Sequence, residues 1–134
     1  MEYLADLSGV AGGTRASRLD VAYDRLNAHE HVLAERFMEG VERLDHVRLL
    51  GVTDRNQLAE RTATFLLDVR NHRPGDVASV LGERGFFVWH GDFYAPGAVR
   101  SVGLGPDGGV RIGLAHYNST DEVDGVLAEL EALR

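Results

Sequence analysis

The chain has no cysteine and no lysine. Without cysteine there are no disulfides, thiolate metal sites, iron–sulfur clusters or cysteine nucleophiles. Without lysine, no side chain of this chain can form a Schiff base with a carbonyl compound, because that condensation needs a lysine amine. A phosphate loop with its Gly-Lys pair is excluded on the same ground. All 14 basic residues are arginine, a preference that GC-rich codon usage alone can produce, and the chemical consequence is the same whatever its cause. Against them stand 21 acidic residues, for a formal net charge of −7. That balance argues against a general nucleic-acid binder, which needs a basic face to displace counterions, and against docking on an anionic membrane surface. No apolar run approaches the roughly 20 residues of a membrane span. No basic stretch followed by an apolar one marks a secretory signal at the N-terminus. With the missing cysteines, these features lead to the expectation of a cytoplasmic protein.

What is present is an ordinary globular mixture, 44% apolar and 26% charged over 134 residues, the size of one domain. Such a chain can bury about two-thirds of its unfolded surface. Residues 1–16 read as a flexible lead-in, because Ser8-Gly9-Val10-Ala11-Gly12-Gly13-Thr14 is too rich in glycine for a regular element. The domain proper is expected over 17–134. Leu19, Ala22, Leu26, His29, Leu33, Phe37, Val41 and Leu44 recur every three or four residues and predict one long helix over 17–44. Its length would be on the order of 40 Å, a strut that packs on something besides this chain's own sheet.

Strands are predicted at 47–50, 62–69, 86–89 and 110–115, with loops over 52–61 and 90–108. Pro74 opens a second helix that Gly85 ends. Ser119 and Glu122 form a capping box for a last helix with Val123, Val126, Leu127, Leu130 and Leu133 as its stripe. The order is α-β-β-α-β-β-α, which predicts an α+β fold: a small, mostly antiparallel sheet covered by helices.

Few constellations could carry chemistry. The six histidines show no HExxH pair or comparable ligand spacing, so no metal site is expected. Trp89-His90-Gly91-Asp92-Phe93-Tyr94 leaves a strand with an aromatic, an imidazole, a carboxylate and a phenol together. It reads either as an aromatic corner sealing the sheet end or as a binding loop aimed by the scaffold. Arg111 lies in the apolar strand Val110-Arg111-Ile112-Gly113-Leu114-Ala115 and shares a face with Gly113 and Ala115. It is either an exposed strand-start arginine or a guanidinium with room to take a carboxylate in two-point fashion. Gly103-Leu104-Gly105 lacks the strand–turn–helix order of a dinucleotide site.

The segments RTATFLLDV, PGDVASVLGERGFFVWHGDFYA and GGVRIGLAHYNSTDEVDGVLAELEAL together resemble the C-terminal small domain of class V aminotransferases, and within them the cysteine-desulfurase-like branch. The sharpest match is the arginine-bearing strand, a spacer, Tyr117-Asn118-Ser119, and the acidic helix start Glu122-Val123-Asp124. Ser119 stands where the family usually has threonine, which keeps the capping hydroxyl. The resemblance implies a pyridoxal-phosphate enzyme of fold type I acting as a homodimer on an amino-acid-like substrate. In such an enzyme a large domain, absent from this chain, holds the cofactor and its lysine. The small domain closes the site, with Arg111 at the position that binds the substrate carboxylate and Trp89, His90 and Tyr94 lining the mouth.

Two departures bear on activity. The loop Gly91-Asp92-Phe93-Tyr94-Ala95-Pro96 has no cysteine, so the persulfide route of true desulfurases lacks its nucleophile. The branch often has arginine just before that glycine, where this chain has Trp89 and His90. No catalytic residue is expected within the chain, and alone it is expected to be inactive. The alternatives are a free-standing binding or interaction module that kept the fold, or a nonfunctional remnant.

Overall fold

The computed structural model describes residues 2–134. Nine helices and strands are found among them: α1 (Glu2–Asp6), α2 (Arg15–Val41), β1 (Val47–Leu50), β2 (Thr64–Val69), α3 (Pro74–Glu83), β3 (Trp89–Gly91), α4 (Pro96–Ser101), β4 (Gly109–Gly113) and α5 (Thr120–Glu131). The four strands form one sheet in the order β1-β2-β4-β3, with every neighbouring pair antiparallel. The fold is α+β.

Strand alternation decides which face is closed. Phe65, Leu67 and Val69 of β2 are buried, as are Val110 and Ile112 of β4 and Val47 of β1. They meet Leu33, Phe37 and Met38 of α2, Val77 and Leu81 of α3, and Val123, Val126 and Leu130 of α5 in one core. The Phe37 and Phe65 rings lie 4.4 Å apart at its centre. These helices therefore cover one face of the sheet, and the residues between the buried ones point the other way.

The long helix begins at Arg15, where the Thr14 hydroxyl accepts the Ser17 N–H at 3.2 Å. Where α2 passes Leu127 of α5 it carries Gly40, at which a Cβ would lie 2.3 Å from Leu127 Cδ1. Arg36 grips Asp124 of α5 through two hydrogen bonds of 2.5 and 2.6 Å. The capping box of α5 is formed as the sequence predicts, Ser119 accepting the Glu122 N–H and Glu122 the Ser119 N–H.

Four local readings need correction. Residues 1–16 are not a lead-in without regular structure: α1 forms there, Ala5 and Ser8 are wholly buried, and Arg18 of α2 pairs with both Glu2 and Asp6. Met1 lies outside the described residues. The strand predicted at 86–89 is shifted to Trp89–Gly91. The Phe86 N–H is taken by the Leu81 carbonyl at the end of α3, and its ring packs against Gly125, so residues 86–88 stay outside the ladder. The loop over 90–108 contains α4, opened by Pro96 as Pro74 opens α3. The loop over 52–61 contains a 3-10 turn, Arg55–Glu60, capped by Asp54.

Candidate functional site

β4 is an inner strand, paired with β2 on one side and β3 on the other. Between buried Val110 and Ile112, Arg111 points to the face that the helices leave open. Register then selects its neighbours. Arg111 is paired with Leu66 of β2 and with Trp89 of β3, and Leu66 is paired with Leu50 of β1. Leu50, Leu66, Arg111 and Trp89 thus form a row across all four strands, with one cation inside an otherwise apolar line.

The other charges on this face are already used. Arg48 and Asp68, paired across β1 and β2, form an ion pair at 3.0 Å. Arg111 has no carboxylate within ion-pair distance among the described residues. Asp92 accepts the Tyr94 N–H at 3.1 Å and Asp107 pairs with Arg73 at 3.5 Å, while Glu60 lines the same hollow as Arg111 without reaching ion-pair distance of it. The guanidinium instead lies over the Phe93 ring, 4.8 Å from its centre. Such a contact is worth about 0.5–1 kcal/mol at an exposed site and leaves the N–H edges free.

Phe93 reaches that position through an uncommon backbone. Phe93 and Tyr94 follow one another in the left-handed region, at φ 54° and 59°, a region that costs bulky residues on the order of 1–2 kcal/mol each. The Asp92 carboxylate and carbonyl hold the turn by accepting the N–H groups of Tyr94 and Ala95. Its base is fixed by Gly91 and Gly108, whose backbones pass so closely that a Cβ on Gly108 would fall 1.8 Å from the Gly91 carbonyl oxygen. Arg111 forms the shared wall of two open hollows. One, of about 510 Å³, is bounded by Leu50, Val52, Leu66 and Phe93 together with the polar Glu60, Arg61, Thr62 and Thr64. The other, of about 550 Å³, is bounded by Phe87, Thr64 and Trp89.

The sequence-predicted residues are thus only partly brought together. Trp89 stands directly across from Arg111 and is 62% exposed. Tyr94 is wholly exposed and its hydroxyl makes no hydrogen bond among the described residues. His90 does not join them. It pairs with Val110, so it faces the helix side, where its ring lies against Gly75 at the start of α3. Its departure from the group follows from alternation, since residues 89 and 90 of one strand cannot share a face. Gly113 shares the Arg111 face, and Ala115 lies beyond the end of β4. Phe93, Leu66 and Leu50 were not singled out by the sequence, because only cross-strand register and the turn at Asp92 place them there.

Four of the other histidines serve as struts. His46 and His72 donate to the Leu130 and Leu133 carbonyls at 2.9 and 2.8 Å, at the C-terminal end of α5. His29 donates to the Asn118 carbonyl before that helix, and His116 shares a hydrogen bond with the Tyr3 hydroxyl. No group of three or more His, Cys, Asp or Glu side chains among the described residues is placed to hold a metal ion. Arg61 is also structural: it donates to the Val52 and Thr64 carbonyls at 2.5 and 2.8 Å over the Phe65 ring, and burial lowers its pKa. No helix among the described residues is long and apolar enough to cross a membrane.

The family model described as Aminotransferase class-V matches residues 9–126. Among curated relatives, the chain is 31% identical over 115 residues to a nonribosomal peptide synthetase-like enzyme of Aspergillus fumigatus, covering 84% of this chain and 8% of that protein. It is 32% identical over 111 residues to a probable cysteine desulfurase of Pseudomonas putida, covering 80% of this chain and 25% of that protein. Among solved structures, the apo cysteine desulfurase of Thermococcus onnurineus superposes with a TM-score of 0.77 at 28% identity, over 89% of this chain and 28% of that one. The cysteine desulfurase CsdA of Escherichia coli shares the fold, with a TM-score of 0.67 at 17% identity over 93% of this chain and 32% of that one. The chain therefore spans a third or less of each of these proteins. With most of its length matched by the family model, the chain belongs to the class V aminotransferase family.

Proposed function

We propose that this chain is the small domain of a class V aminotransferase-like, pyridoxal-phosphate-dependent enzyme, where it closes the active site and binds the substrate carboxylate through Arg111. The observation that carries this reading is the free guanidinium on the open sheet face, with its edges unclaimed by any carboxylate among the described residues. A guanidinium seated over an aromatic ring, with its N–H groups unclaimed, is suited to two-point binding of a carboxylate. Trp89 and Tyr94 flank the mouth; His90 does not.

The cofactor does not fit this chain alone. With no lysine in 134 residues, its aldehyde finds no side-chain amine here to condense with. The lysine and the cofactor chemistry therefore belong to a large domain, whether joined to this one in a longer chain or supplied by another. A homodimer, an amino-acid-like substrate and a cytoplasmic setting are part of the same proposal. Loss of sulfur by a persulfide route is not, because no cysteine is present to form the persulfide.

The test is made on the assembled enzyme, with its lysine-bearing domain. Arg111→Lys keeps the charge and loses the planar fork. It is expected to raise KM about 10- to 100-fold, the equivalent of about 1.5–3 kcal/mol for a charge-assisted pair, with kcat changed far less. Unchanged kcat/KM in Arg111→Ala would remove Arg111 from the site. A chain that associates with no such domain would point instead to a free-standing binding module.

A further inference from the structure

The surroundings of Arg111 carry more than a charge. We propose that the ligand taken by this site is a carboxylate on a flat apolar body, of the class of aromatic amino or oxo acids, and that the body lies in the hollow bounded by Phe93, Leu66, Leu50 and Val52. This inference rests on the reading of Arg111 as a carboxylate clamp and extends it to the rest of the ligand.

Three observations support it. First, the row through Arg111 is apolar on both sides, with Leu66 and Leu50 toward β1 and Trp89 toward the β3 edge. Arg48 and Asp68 neutralise one another. The row offers one cation between apolar neighbours, the complement of a carboxylate with an apolar tail; Glu60 and Arg61 also line the hollow beside it, and Arg61 is engaged with the Val52 and Thr64 carbonyls. Second, the guanidinium sits over the Phe93 ring, 4.8 Å from its centre. A carboxylate then approaches the N–H edges, and its substituent is led along the Phe93 and Leu66 surface. The hollow there, about 510 Å³, falls within the range of small-molecule sites. Third, Phe93 is held in place at φ 54°, where glycine or asparagine is the easier choice.

The chain's only tryptophan is Trp89, directly across from Arg111, so its fluorescence reports this site. Three probes divide the contributions: propanoate, 3-phenylpropanoate and 3-phenylpropan-1-ol, titrated into the chain. The apolar area that one ring face buries corresponds to roughly a tenfold gain in affinity. 3-Phenylpropanoate is therefore expected to bind about tenfold more tightly than propanoate, and more tightly than the alcohol. Phe93→Asn, which suits the left-handed backbone, is expected to cut the phenyl preference to less than about threefold. Phe87→Ser, on the other hollow, is expected to leave it.

Equal binding of the two acids by the unaltered chain would overturn the apolar-body inference and leave the clamp standing. A preference lost in Phe87→Ser and kept in Phe93→Asn would overturn the placement. Equal binding of both acids by Arg111→Lys and the unaltered chain would remove the clamp and, with it, this inference. If no probe perturbs Trp89, or the alcohol binds as tightly as the acid, the face is a seat for another protein domain and the proposal falls.

Discussion

The loop that presents Phe93 depends on a glycine at position 108, which makes Gly108→Ala a sharp test of how the site is held. Gly108 has φ +73°, and a Cβ there would fall 1.8 Å from the Gly91 oxygen, 2.1 Å from the Gly91 carbonyl carbon and 2.7 Å from the Asp92 nitrogen. All three are backbone atoms, so no side-chain rotation relieves the overlap. The left-handed conformation costs about 1–2 kcal/mol for alanine, and forced displacement of packed neighbours about 1–3 kcal/mol more. The expected loss is about 2–5 kcal/mol, against a total near 7–20 kcal/mol for a domain of this size. Gly105 provides the control. It lies in the same turn, its carbonyl accepting the Gly108 N–H at 3.0 Å, and it has neither a positive φ nor any atom within 4 Å of an added Cβ. Gly105→Ala should be neutral or stabilising by about 0.4–1 kcal/mol, through the unfolded chain. Urea midpoints followed by far-UV circular dichroism read both. Native Trp89 fluorescence should change in Gly108→Ala alone, because the displaced strand end carries Trp89 and the turn carries Phe93. A Gly108→Ala variant within roughly 0.5 kcal/mol of the parent would refute the steric argument, as would an equal loss in Gly105→Ala.

Two further outcomes follow from the same structure. Mixed with pyridoxal phosphate, the purified chain should give no Schiff-base absorbance band that survives gel filtration, since only its N-terminal amine can condense; a stable yellow complex would show the cofactor held here without a lysine. Acid should weaken the α2–α5 contact. The Asp124 carboxyl is held below its usual range by the hydrogen bond and charge of Arg36, and Glu122 by the Ser119 N–H and then Asn118. Groups depressed in the folded state contribute stability above the ordinary carboxylate pKa, about 4, and lose it as the pH falls through their lower folded values. Asp124→Asn should flatten the fall of the thermal midpoint below about pH 4, and an unchanged slope would show that the exposed Arg36–Asp124 pair contributes nothing.

Elements that announce themselves locally were legible in the sequence. The α2 stripe, the strand at 47–50, the proline that opens α3 and the capping box at Ser119 and Glu122 need only neighbours within a few residues, and each forms at or near its predicted place. The misreadings have one cause. α1 is held by Arg18 and by the Tyr3–His116 contact, partners 12 to 113 residues away. β3 is displaced because the end of α3 claims the Phe86 N–H. The struts at His46 and His72 depend on where the last carbonyls of α5 come to rest, and no spacing within the chain records that.

The candidate site divides along the same line. Arg111 could be picked out because a charge inside an apolar strand is visible locally, and Trp89 because it leaves a strand. Their meeting is a matter of register: Trp89 and Arg111 face each other because β3 pairs Trp89 with Arg111 and Gly91 with Gly109. That register places Trp89 on the open face, and alternation then turns His90 toward α3, so one pairing both completes the pair and dismisses the imidazole. It also explains why the open face tolerates a cation. The buried face closes the core without help from Arg111, and removing the guanidinium from the other face would leave Leu50, Leu66 and Trp89 in an unbroken apolar row. The arginine thus stands outside the buried core, against the Phe93 ring, a placement consistent with the ligand role proposed for it.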